Sequence, residues 1–156
     1  MHIRYAFMGG LVRSGVRGLL ERLKKERGFL HETHSLLAAN DPDYLRAYDN
    51  LFRFVMTSNR LLSTKTKELL VISVLCSRGS YEGARLHMKR AIQKGATPSE
   101  VLESIETAAL YSGAPTLIYG GEALIQTLTG LGMISTESKT FLPKSGRSQG
   151  RLTPHR

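Results

Sequence analysis

The chain has 156 residues, a formal net charge of +9 at pH 7, no tryptophan and one cysteine, which suits a single domain, rules out an intrachain disulfide and, with no secretory leader apparent, points to a reducing cytoplasm. Its basic excess sits on the ends: residues 1–27 carry seven Lys or Arg against two Glu, residues 138–156 carry five and no acid, and the stretch between holds ten bases and eleven acids. A nearly neutral middle offers no basic face with stacking or groove-reading residues, so nucleic acid is excluded as an expected partner.

Residues 1–28 read as a basic amphipathic N-terminal helix, with Leu11, Val12, Val16, Leu19, Leu20 and Leu23 at helical spacing opposite Arg13, Arg17, Glu21, Lys24 and Lys25. Such a stretch suits a membrane surface or an arginine-rich presequence. The reading adopted is a helix docked on its own core or on a neighbouring subunit, with no membrane partner.

Residues 29–135 form the predicted helical domain. His31 and His34 stand three apart, close enough on a helix to reach one metal ion. A site needs third and fourth ligands that the local sequence does not supply, so no metal is expected. Asp41-Pro42 sets an N-cap and first-turn proline for a helix to about Met56, and Ser63 caps the next. An apolar helix containing Glu68 to Cys76 reaches an Arg78-Gly79-Ser80 corner, and a returning helix bears His87. Gly95 closes it, and Thr97-Pro98-Ser99-Glu100 is a capping box ahead of a helix from Val101 to Tyr111. Gly113-Ala114-Pro115 breaks the chain before a last helix to about Leu131. Gly120-Gly121 in that helix lacks the strand and spacing of a phosphate loop and is read as permitting close helix contact. Residues 136–156 read as a disordered basic tail. No segment alternates apolar and polar residues as a strand would, so the fold class is all-α with about six helices.

The corner brings an acid and an imidazole together. Glu68 lies ten residues before Arg78 and His87 nine after it, so at ~1.5 Å rise per residue an antiparallel pair sets them nearly level. Glu68 shares a stripe with Ile72, Leu75 and Cys76, and His87 shares one with Ala84, Met88 and Ala91. Both polar groups therefore point into apolar faces, where each needs a partner. A glutamate–histidine pair is one way to hold a base ready for proton transfer. It is also a way to fix how two helices pack.

The run Leu62-Ser63-Thr64-Lys65-Thr66-Lys67-Glu68-Leu69-Leu70, the stretches from Tyr81 to His87 and Ala91 to Gly95, Thr97 to Val101, and Tyr111-Ser112-Gly113-Ala114-Pro115 resemble the carboxymuconolactone decarboxylase and alkylhydroperoxidase D-like family. The resemblance spans about residues 40–132. The peroxidase branch carries E-x11-C-x2-C-x3-H, and this chain keeps its glutamate and histidine as Glu68 and His87. Ser80 and Gly83 occupy the two cysteine positions, so the thiol chemistry of that branch cannot run through the motif. Cys76 lies before the corner, roughly 10 Å along the hairpin from His87. It is read as a small core residue.

The resemblance implies an alkylhydroperoxidase D-like helical bundle, a homo-trimer or hexamer with its site near a subunit boundary. The cysteine-free decarboxylase branch is the nearer one, and it implies acid–base chemistry on a small carboxylated lactone. That branch carries a glutamate shortly before its histidine. Glu82 is five residues back and turned to another face. The expectation is therefore a proton relay of Glu68 and His87 acting on a small carboxylated or carbonyl-bearing molecule, with Ser80, Arg85 and Tyr111 positioning it and no cofactor. Tyr111 and Tyr119 frame the Gly113 break, where they either line a pocket or pack as core aromatics. Two alternatives remain: a peroxidase using Cys76 or an external thiol, and a non-catalytic oligomeric scaffold that binds a ligand.

Overall fold

The helical punctuation of the sequence becomes seven α-helices, with no strand among the described residues, which in this computed structural model are 14–58 and 60–135. Leu11 and Val12 of the N-terminal stripe, and the basic tail 136–156, lie outside them. Helix α1 (Ser14–Arg27) buries Val16, Leu19 and Leu23 against Ala38 of α2 (Glu32–Asn40) and Leu45 of α3 (Pro42–Phe52). The apolar stripe of α1 is thus spent on its own chain.

Helix α2 has no sequence-level signature of its own. Its N-cap is His31, and the cap is made in an unusual way: His34 Nδ1 accepts the His31 backbone N–H at 3.0 Å. Helix α3 starts as expected, with the Asp41 carboxylate accepting the Tyr44 N–H behind Pro42. The expected run to Met56 is not one α-helix, because α3 ends at Phe52 and a π-helical turn follows over Arg53–Thr57. The Thr57 hydroxyl donates to the Arg53 carbonyl at 2.8 Å and the Ser58 hydroxyl donates to that of Phe54. These hydroxyls compete for the acceptors of the α pattern, and the Ser58 N–H reaches back five residues to Arg53 instead.

The remaining four helices form a square bundle. Helix α4 (Thr64–Ser77), capped by Ser63, lies antiparallel to α5 (Tyr81–Gln93), and α6 (Pro98–Ser112), behind its Thr97/Glu100 capping box, returns as α7 (Ala114–Gly130). Helix α4 also packs on α6, and α5 on α7. The stripes expected to face inward do so: Ile72 and Cys76 of α4 meet Ala84, Met88 and Ala91 of α5 in one core with Ile105 and Leu124. Leu75 packs at its margin, partly buried. The fold therefore has two apolar cores, one under α1–α3 and one inside α4–α7, and the polar residues described next lie between them.

Candidate functional site

Glu68 is fully buried on α4, and its Oε2 stands 2.7 Å from His87 Nδ1 on α5. The level register expected from the corner is thus realised as a hydrogen bond. The imidazole side chain is 14% exposed. Among the described residues nothing hydrogen-bonds its Nε2, and Phe29, in the α1–α2 connection, stands edge-on to the ring with centroids 6.1 Å apart. Glu68 thus orients the His87 ring through one of its two nitrogens.

A carboxylate with no exposure needs more than one neutral partner. Arg90, three residues after His87 and also buried, supplies it: Nε and Nη2 reach Glu68 Oε1 at 3.0 and 2.9 Å. Its Nη1 donates to the backbone carbonyl of Arg27 at 3.2 Å. Arg27 is itself buried, with Nη2 on Asp49 Oδ1 at 3.1 Å, and Arg22 takes Asp49 Oδ2 at 3.1 Å. The Phe52 ring lies under both buried guanidinium groups, 3.9 Å from that of Arg27 and 5.3 Å from that of Arg90. None of Arg27, Asp49 or Arg90 had been singled out in the sequence. Arg90 carried a usable signal, since position i+3 from His87 falls on the same apolar stripe.

The other three candidates are not gathered at the pair. Arg85 is turned to Glu82, with Nη1 to Oε1 at 3.0 Å. Ser80 is exposed at the corner and makes no side-chain cap to α5, and seven residues of helix put it about 10 Å along the axis from His87. Tyr111 is 88% exposed at the end of α6. A Cβ at Gly83 would meet Ser80 Oγ at 2.9 Å and Leu75 Cδ1 at 3.6 Å. Tyr119 pairs with Tyr81, ring centroids 5.6 Å apart. Cys76 is buried against Gly120, and burial pushes its thiol up to about 11. A thiol held so far from its anion, inside a core, is a poor nucleophile.

No group of three or more metal-ligating side chains is present among the described residues, and His34 Nδ1 is occupied by the His31 N–H. No described helix is long and apolar enough to cross a membrane. A cavity of about 430 Å³ lies between α4 and the π-helical turn, with Val55, Met56, Arg60, Leu61, Lys67 and Leu70 among its lining. A smaller one, about 230 Å³, has Glu82, Arg85 and Lys89 among its lining. Neither includes Glu68 or His87.

The all-helical bundle, four of its helices packed as a square, sets the fold class. The carboxymuconolactone decarboxylase family model matches residues 42–125, over half of the chain, and the chain belongs to that family. It is 25% identical over 95 residues to an uncharacterized protein of Methanocaldococcus jannaschii, covering 61% of this chain and 88% of the relative. The crystal structure of a candidate carboxymuconolactone decarboxylase from Burkholderia xenovorans shares the fold with a TM-score of 0.67 at 19% identity, over 79% of this chain and 95% of that one.

Proposed function

We propose that the chain carries out acid–base chemistry on a small carboxylated or carbonyl-bearing molecule, with His87 transferring the proton and Glu68 holding it in place. The observation that carries this reading is the 2.7 Å contact from His87 Nδ1 to a carboxylate with no solvent exposure. A buried carboxylate that accepts from Nδ1 fixes the imidazole's orientation and tautomer, which leaves Nε2 as the nitrogen that can take up a proton from substrate. Small carboxylated lactones are the first substrates to try, on the strength of the family.

The test is a panel of small lactones and oxo-carboxylates assayed for consumption and CO2 release. Wild-type protein should turn over at least one of them. His87→Ala should lower that rate by about 100-fold or more, the usual scale for losing a general acid–base group, with helicity and assembly unchanged. Undiminished turnover in His87→Ala sinks the reading.

A second reading is a non-catalytic scaffold, and the larger cavity favours it, because that cavity does not include the pair. It requires that Glu68→Gln and His87→Ala change melting temperature alone. Self-assembly belongs to either reading: Leu70, Val74, Leu110 and Ile118 are all more than half exposed, and a second copy of this chain is the proposed cover. A buried, unpaired cysteine suits the reducing cytoplasm proposed for it.

A further inference from the structure

The Glu68 carboxylate divides its oxygens between two partners, Oε1 to Arg90 and Oε2 to His87. The terminal torsion of a glutamate is broad and roughly two-fold, so the side chain alone does not choose the plane of its carboxylate. Two nitrogens of one rigid guanidinium on a single oxygen do choose it. Arg90 therefore occupies one oxygen and leaves the other turned to His87.

What holds Arg90 lies largely in the N-terminal helices. Its third nitrogen donates to the carbonyl of Arg27, the last residue of α1, where a helix end carries partial negative charge. That carbonyl is fixed in turn because the Arg27 side chain is clamped between the Asp49 carboxylate and the face of Phe52. Phe52 also underlies Arg90. The sequence Asp49, Arg27, Arg90, Glu68, His87 is continuous, each member touching the next, and all but His87 are no more than 5% exposed. Arg27, second in this series, and Phe29, edge-on to His87 at its other end, fall outside the stretch matched by the family.

We propose that Arg90 is a positioning residue for the Glu68–His87 pair, and that α1 sets the geometry of the pair through it, by way of Asp49 and Arg27. The catalytic meaning of this coupling rests on the acid–base reading. The coupling itself does not, and it can be read without a substrate.

The experiment uses the full chain with 15N-labelled histidine, following the imidazole nitrogens and the Nδ1–H proton of His87 by NMR at a pH where the ring is neutral. Wild-type protein should show His87 protonated on Nδ1 with a downfield proton, the signature of a bond to a carboxylate. Arg90→Gln should lose that proton signal and shift the ring nitrogens toward a mixture of tautomers. Arg90→Lys keeps the charge without the fork and should lose it in part. Asp49→Asn touches neither Glu68 nor His87, yet should move the His87 signals in the same direction. Circular dichroism and melting temperature show which variants are folded, and if Arg90→Gln is not, Arg90→Lys and Asp49→Asn decide. A folded Arg90 variant with the wild-type His87 spectrum overturns the positioning role. An unchanged spectrum in Asp49→Asn, beside a changed one in Arg90→Lys, overturns the part assigned to α1. Should the spectra change as expected while His87→Ala keeps full turnover, the acid–base reading fails and the coupling stands.

Discussion

His34 spends its Nδ1 on the His31 backbone N–H and lies buried with its ring 6.4 Å from that of Tyr48. Burial above all, and then the charges of Arg27 and His31, hold its pKa below the ordinary 6.5, while the charge of Asp49 opposes them less strongly. A folded-state value below the unfolded one means that this contribution to stability is present above the ordinary histidine value and is lost as pH falls through it. Melting temperature should therefore drop as pH falls below the ordinary value of 6.5, and drop less in His34→Gln. Glutamine at this third helical position still accepts the cap bond but does not titrate. Parallel curves for the two proteins would remove His34 as a source of the acid sensitivity. The residue scale is also where sequence was most informative. Glu68 and His87 were found because both sit in regular helices at known distances from one corner, so register alone put them level. Arg27 and Asp49 were not, because 22 residues separate them and 63 separate Arg27 from Arg90, and no local period links such positions.

Among the elements, α7 shows how closely helices are pressed together. A Cβ on Gly120 would stand 2.8 Å from Ile105 Cγ2 and 3.4 Å from Cys76 Sγ, whereas one on Gly121 would meet nothing within 4 Å. The neighbours of Gly120 are a branched methyl and a buried sulfur that cannot swing aside. Gly120→Ala should cost about 1–3 kcal/mol, beyond what a better helix former returns. Gly121→Ala should stabilise by about 0.5–1 kcal/mol. Denaturant unfolding of the two variants checks the contrast, and a stabilised Gly120→Ala would show that α7 can shift outward at little cost. The sequence placed close contact on the glycine pair without saying which one made it. Capped helices were equally legible: Ser63, Asp41 and the Thr97/Glu100 box each begin a helix where expected. Helix α2 begins at a histidine and α3 passes into a π-helical turn, and neither start nor transition carries a residue pattern that distinguishes it from loop or α-helix.

On the scale of the whole molecule, apolar side chains remain outside both cores. Leu70 and Val74, one turn apart on α4, are 53% and 55% exposed, and Leu110 on α6 is 78% exposed. A single chain leaving this much aliphatic surface in water is expected to cover it with another copy. Sedimentation should give a multiple of one chain's mass, and Val74→Glu should lower that multiple with helicity unchanged. A wild-type protein that sediments as one chain would count against assembly. The polar seam between the two cores has a bearing on where this molecule can be divided. Similarity to the family begins at residue 42, yet Asp49 finds both its ion-pair partners on α1, and Arg90 one of its hydrogen-bond acceptors there. A fragment trimmed to the matched stretch would keep the glutamate, the histidine and Arg90 but strand the buried Asp49 carboxylate, which the full chain pairs with Arg22 and Arg27. Homology and electrostatics thus draw the edge of the working unit in different places, and the electrostatic edge is the wider one.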